Sequence, residues 1–185
     1  MSTEGKQTVT VTVGNESVTY VINVRAAGSE AAKTYTLQFG TPYNSTDDNI
    51  SSYVKTWDAT RDGFTWTMVN WNNYNNSWNH VRAGSKNAAS VATITTKTTM
   101  PEAISTVTMT IDAITATYVN SIKLEVLSAD GKTVKETISG KVQKGDCVFN
   151  IANSQHNCKY RITVDCKKSK NNGPVQVSKV VYTNN

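Results

Sequence analysis

The sequence predicts an all-β chain, an antiparallel β-sandwich with an N-terminal β-hairpin. Three observations predict it. Val, Ile and Thr dominate the patterned stretches, and β-branched side chains fit a pleated, half-buried surface. Apolar and polar residues alternate in short runs, with turn signals about every 8–12 residues between them. Leu is scarce, and no stretch carries the spacing of an amphipathic helix.

Each element follows from its residues. Positions 8–13 alternate Thr and Val, Gly14-Asn15-Glu16 is a turn signal, and 17–24 alternate again with Val18, Tyr20, Ile22 and Val24 on one face. This is a hairpin, assigned to residues 1–25. A two-stranded hairpin is marginal alone in water, so it requires a neighbour. Residues 26–33 are small and flexible in composition and read as a linker; residues 34–185 read as the sandwich domain. Tyr35, Leu37 and Phe39 open it, and a polar loop spans 40–49. Residues 53–60 read as a weak strand around Trp57, and Phe64, Trp66 and Met68 give the next strand a heavy apolar face. After the Asn-rich stretch come short strands at 80–83 and 90–96, then a strong one at 104–111 with Val107, Met109 and Ile111 together. Ile122, Leu124 and Val126 form a strand that Ala129-Asp130-Gly131-Lys132 turns back into 134–138. Strands at 147–151 and 159–164 follow. Asn171-Asn172-Gly173-Pro174 then turns the chain into a closing strand carrying Val175, Val177, Val180, Val181 and Tyr182.

A length of 185 residues suits one domain with a small addition, and a net charge of +5 is mild. The basic residues are scattered apart from Lys167, Lys168 and Lys170, which reads as a solvated surface and not a nucleic-acid site. No window approaches the ~20 apolar residues of a membrane span. Residues 1–7 are polar and lack the apolar core of a secretory signal; the chain is expected to work without secretion, or with a signal already removed. Cys147, Cys158 and Cys166 are odd in number. Cys158 and Cys166 lie roughly 26 Å apart if extended, so reduced, buried thiols are expected. No Gly-x-Ser-x-Gly, His-Glu-x-x-His or phosphate loop is present, and Asp58 and Asp62 flank a turn, so no enzyme is expected. Asp47 and Asp48 offer a weak calcium site in an otherwise solvated loop; no other cofactor is expected. Asp112 is expected near a strand end, in a turn-stabilising role.

The most distinctive stretch is 63–87, with three of the four Trp at 66, 71 and 78, an asparagine tract, and Arg82 and Lys86 after it. Aromatic faces can receive sugar C–H groups, and amides and cations can bond hydroxyls. The candidate glycan contacts are Trp71, Asn73, Tyr74, Asn76, Trp78, Arg82 and Lys86. The competing reading puts Trp side chains in the core and has the amides hold the loop to its own backbone through Asx-turns.

Two resemblances add to this. Residues 122–126 with Ser128-Ala129-Asp130-Gly131, then Tyr160-Arg161-Ile162-Thr163-Val164, then Val177-Ser178-Lys179-Val180-Val181-Tyr182, resemble the C-terminal half of a galactose-binding-like jelly roll. Ile50-Ser51-Ser52-Tyr53, Asp62-Gly63-Phe64, the tract 70–78, residues 85–96, Pro101-Glu102-Ala103-Ile104 and Ile111-Asp112-Ala113-Ile114 resemble a repeated domain of gut Bacteroidales surface proteins. The same domain occurs in structural proteins of their phages, crAss-like phages included. The hairpin resembles the end of a bacterial immunoglobulin-like domain. These resemblances imply a jelly-roll fold, exposure on a virion or cell surface, and no known catalysis. The expectation is a structural and recognition module, most concretely a capsid-decorating or head- or tail-fibre component of a phage virion. It would meet neighbouring subunits through the hairpin, in an oligomer or larger assembly, and would hold glycans without nucleic acid or membrane insertion. The alternative is a carbohydrate-binding module of a secreted or cell-surface bacterial protein.

Overall fold

A computed structural model describes residues 5–24, 33–43, 50–74 and 78–184. The chain divides into two compact units, residues 1–32 and 33–184. In the first, β1 (Gly5–Val13) and β2 (Glu16–Val24) pair antiparallel around Gly14, whose φ of 62° a tight hairpin turn requires. Thr10 and Thr19, and Thr12 and Ser17, share hydroxyl hydrogen bonds on one face. Val9, Val11, Val18 and Tyr20 lie on the other face, paired Val9 with Tyr20 and Val11 with Val18, and all are exposed.

The second unit is a sandwich of two antiparallel sheets. Its strands are β3 (Thr34–Gln38), β4 (Thr56–Arg61), β5 (Phe64–Val69), β6 (Trp71–Asn72), β7 (Val81–Ala83), β8 (Ser90–Thr96), β9 (Thr106–Ile114), β10 (Val119–Leu127), β11 (Val134–Ser139), β12 (Gly145–Asn150), β13 (Lys159–Cys166) and β14 (Val175–Thr183). Sheet I runs β11-β10-β13-β8-β5-β4; sheet II runs β12-β9-β14-β7-β6, with β3 also on β14. β7 pairs with residues 175–177 of β14 and β3 with residues 179–183, so the two short strands lie end to end along one edge of it. Among the described residues the helical content is one 3-10 turn, Ala116–Tyr118.

The inward faces follow the two-residue period of the sequence. Ala92, Ile94, Ile122, Leu124, Val126, Ile162 and Val164 of sheet I meet Val107, Met109, Ile111, Val175, Val177 and Val180 of sheet II, all buried. A row of aromatic rings crosses this core. Tyr35, Phe64, Trp66, Tyr182 and Tyr160 follow one another at centroid separations of 5.0, 4.9, 6.1 and 5.9 Å. The row passes between sheets three times, and each buried ring contributes about 1.5–3 kcal/mol by removal from water. Cys147, Cys158 and Cys166 are free and buried, and burial pushes the Cys166 thiol up to about 11. Outside sheet I, Glu125, Arg161, Thr95, Thr67 and Asp58 stand opposite one another across five strands. Burial raises the Glu125 carboxyl, but hydrogen bonds from Arg161 (2.7 Å) and Lys123 (3.0 Å) outweigh that and hold it below the usual carboxylate range.

The asparagine tract is where the chain crosses from sheet I to sheet II. Asn70 takes the crossing conformation at φ 61°, which Asn tolerates better than most residues. Its amide donates to Val91 O at 2.7 Å, and its backbone N–H to Lys55 O at 2.8 Å. Trp71 follows, on sheet II, and its indole N–H donates to Thr93 O of sheet I at 3.1 Å. Its own carbonyl accepts the indole N–H of Trp57 at 3.0 Å. Trp71 is therefore fully buried and tied to the opposite sheet in both directions.

Two sequence expectations change. The strand around Trp57 starts only at Thr56, because residues 51–55 leave the ladder. Asp112 lies within β9, as the inserted residue of a β-bulge, and its carboxylate accepts a hydrogen bond from Ser178 on the neighbouring strand. Because Trp71 anchors the crossing, Trp71→Ala is expected to lower stability by about 3–5 kcal/mol. Tyr74→Ala, exposed three residues on, should change it by less than about 0.5 kcal/mol. Urea denaturation of both variants checks this; a Trp71→Ala loss below about 1 kcal/mol contradicts the anchoring role.

Candidate functional site

The candidate glycan residues separate once the chain is folded. Trp71 is a correction: it has no exposed face to offer a ligand, for the reasons just given. Asn73 is a second correction. It is 3% exposed and closes a two-way backbone bridge with Ile50, at 2.8 and 3.1 Å. The Asx-turn reading holds for its neighbour, where Asn72 Oδ1 accepts the Tyr74 backbone N–H at 3.3 Å. Asn76, Asp47 and Asp48 lie outside the described residues. Among those described, no group of three or more His, Cys, Asp or Glu could hold a metal.

Tyr74, Trp78, Arg82 and Lys86 remain, and the structure stacks two of them. Arg82 points outward from the strand while Val81 and Ala83 point into the core, and the bend at residues 79–80 brings Trp78 and His80 to it. The Arg82 guanidinium lies over the Trp78 ring at 3.8 Å, and the His80 ring stacks on Trp78 at 5.4 Å and 13°. Arg82 Nε donates to His80 Nε2 at 3.0 Å. Gly173, at φ 73°, leaves room for the Arg82 stem: a Cβ there would stand 2.8 Å from Arg82 Cδ. Tyr74 is 60% exposed. Lys86 is exposed, its backbone N–H donating to Asn172 Oδ1 at 2.9 Å.

Asn79, between Trp78 and His80, lines an open cleft on the outer side of sheet II. Its volume is about 450 Å³, and Gln38, Phe39, Thr41, Thr110, Ser178 and Lys179 complete the lining. Asp146, Thr110, Lys179 and Gln38 stand opposite one another across β12, β9, β14 and β3, and the last three of them line its floor. Asn79 closes tightly on Gly40, where a Cβ would fall 2.5 Å from Asn79 Oδ1; Gly40, at φ 85°, permits that approach. Under the cleft two bulges oppose each other. β9 inserts Asp112 and β14 inserts Ser178, so the register before and after is the same. The two inserted side chains bond at 2.9 Å.

His80, Asp112 and Ser178 are a set of residues that could suggest nucleophilic catalysis, but their bonding differs. Ser178 donates straight to the carboxylate, and His80 Nε2 already accepts from Arg82. Among the described residues no hydrogen bond joins the imidazole to Ser178. Sequence reading missed His80, Asn79, Asp112 and Ser178 as neighbours. One signal was present: the spacing Val175, Val177, Val180, Tyr182 breaks the two-residue period at Ser178-Lys179, which marks a bulge.

The chain matches no protein-family model and no curated protein.

His80 accepts a hydrogen bond from a cation, so the stack needs the neutral ring. Burial lowers its pKa, Arg82 lowers it further, and Asp112 opposes only in part. Because the folded value lies below the unfolded one, this contribution to stability is complete above about pH 6.5 and is lost as pH falls from there through the folded pKa. An NMR titration of the His80 ring is expected to place its midpoint below the usual histidine range, with loss of the Trp78 ring-current shift on the same curve. A midpoint at or above the usual value contradicts the arrangement.

Proposed function

We propose that this chain is a non-enzymatic structural and recognition module exposed on a surface, most concretely a phage virion component that decorates a capsid or contributes to a head or tail fibre. In this reading it holds host or mucosal glycans on the outer face of sheet II. The observation that carries the recognition half is the Trp78–Arg82 stack: a half-buried aromatic ring held outside the core by a cation, in the same stretch of chain as the exposed Tyr74. Aromatic surface left uncovered by Arg82 and His80, together with the exposed Tyr74 ring, suits sugar C–H groups, and the guanidinium rim suits hydroxyls. The virion half is supported by the resemblance of residues 35–182 to structural proteins of phages, and the jelly-roll winding belongs to the same proposal.

The hairpin supports the assembly half. It exposes Val9, Val11, Val13, Val18 and Tyr20, and its strands pair with no third strand among the described residues, the arrangement that strand addition uses, so neighbouring subunits of an oligomer are its proposed partners. The second reading, a carbohydrate-binding module of a secreted or cell-surface bacterial protein, is favoured by the same stack and keeps the glycan without the virion.

On a glycan array, the chain is expected to bind at least one host or mucosal glycan. Trp78→Ala is expected to weaken that binding about tenfold or more while leaving the fold intact. Co-purification with virus particles in stoichiometric amount separates the virion reading from the bacterial one. No array binding, with full incorporation into particles, would remove the glycan part and leave the architectural role.

A further inference from the structure

We propose that the cleft over the paired bulges is a binding subsite for a neutral saccharide unit, distinct from the Trp78 stack. The proposal deepens the glycan reading above and rests on it.

The bulges are the first argument. Each inserted residue interrupts the β9–β14 ladder, and the two insertions cancel. The core gains nothing from them: Val107, Met109 and Ile111 on one strand and Val175, Val177, Val180 and Tyr182 on the other remain buried. What the insertions produce is Asp112 and Ser178 side by side on the outer face, joined at 2.9 Å. Bulges that re-aim side chains without serving the core concentrate at binding sites.

Hydrogen-bond polarity is the second argument. The Ser178 hydroxyl proton is committed to Asp112, and the Thr110 hydroxyl proton to Asp146 Oδ1 at 2.8 Å. Both hydroxyls therefore present acceptor lone pairs to the cleft. Lys179 and Asn79 lie beside them, and their side chains donate to no described residue. Fixed acceptors next to free donors match a sugar hydroxyl, which needs both. They do not match a carboxylate or sulfate, which needs donors alone and would meet Asp112 and Asp146 behind the acceptors. The volume of about 450 Å³ falls in the usual size range of small-molecule sites.

The test is an amide NMR titration of the chain with methyl galactoside, methyl glucoside, methyl mannoside and methyl glucuronide. At least one neutral glycoside is expected to shift the amides of Gln38, Thr110, Ser178 and Lys179, and the glucuronide to bind about tenfold more weakly or not at all. Thr110→Val is expected to cost about five- to tenfold in affinity, and so is Lys179→Met. Lys179 is exposed, so its variant reports on the cleft even if the other perturbs the sheet. Shifts confined to Tyr74 and Trp78 overturn the subsite and leave the glycan reading standing. Preferential binding of the glucuronide overturns the neutral class. No shift with any of the four overturns the subsite, while the glycan reading stands or falls separately on array binding.

Discussion

The sandwich depends on one crossing. At Asn70 the chain leaves sheet I, and at Trp71 it has joined sheet II. An indole is large enough to reach back across the interface: that of Trp71 donates a hydrogen bond to Thr93 O, and the backbone carbonyl of Trp71 accepts one from the Trp57 indole. Burying that much apolar surface stabilises the fold, while the paired N–H avoids the penalty of an orphan donor. The position of β7 follows from this anchor, since β6 pairs with it through Trp71 and Asn72. The Trp78–His80–Arg82 stack stands on the outward side of β7 and its lead-in. A core interaction thus places a surface feature.

β14 has a complementary part. It pairs with β9 along one edge and with β7 and then β3 along the other. A single bulge between β9 and β14 would shift the register by one residue and turn the far half of a strand inside out. The second bulge prevents this, and Val180 and Tyr182 stay in the core. Tyr182 there joins the aromatic row that runs from Tyr35 to Tyr160. The same arrangement leaves Asp112 and Ser178 on the outside, so the register that protects the core also builds the floor of the cleft.

The fold class and the order of strands were legible in the sequence because the inward faces alternate cleanly. Residues 90–96 and 122–126 show this directly, with Ala92, Ile94, Thr96 and Ile122, Leu124, Val126 buried. The hairpin was legible from its Gly14 turn and its Thr and Val alternation. The candidate site was legible only in part. Periodicity cannot tell an aromatic that points into the core from one that points out when neither belongs to a long strand, and Trp71 and Trp78 are such residues. Their separation depends on which sheet each segment joins, a long-range fact. Asn73 looked like a free amide because its bridge partner, Ile50, is distant in sequence. The cleft was illegible for the same reason: Gln38, Asn79, Thr110 and Ser178 come from four separate stretches.

The proposed division of labour is that core aromatics hold the two sheets together while the outer face of sheet II is left for recognition. The half-buried Trp78 with a cation over its ring, and a cleft with mixed hydrogen-bond polarity, are the features on which that proposal rests. The most direct measurement is a crystal structure of the chain with a glycan identified by array binding. The account predicts the sugar on the outer face of sheet II, in contact with Trp78 or the neighbouring cleft, with Trp71 enclosed between the sheets. A sugar bound on the Thr-rich outer face of sheet I, or one stacked on an exposed Trp71, would contradict it.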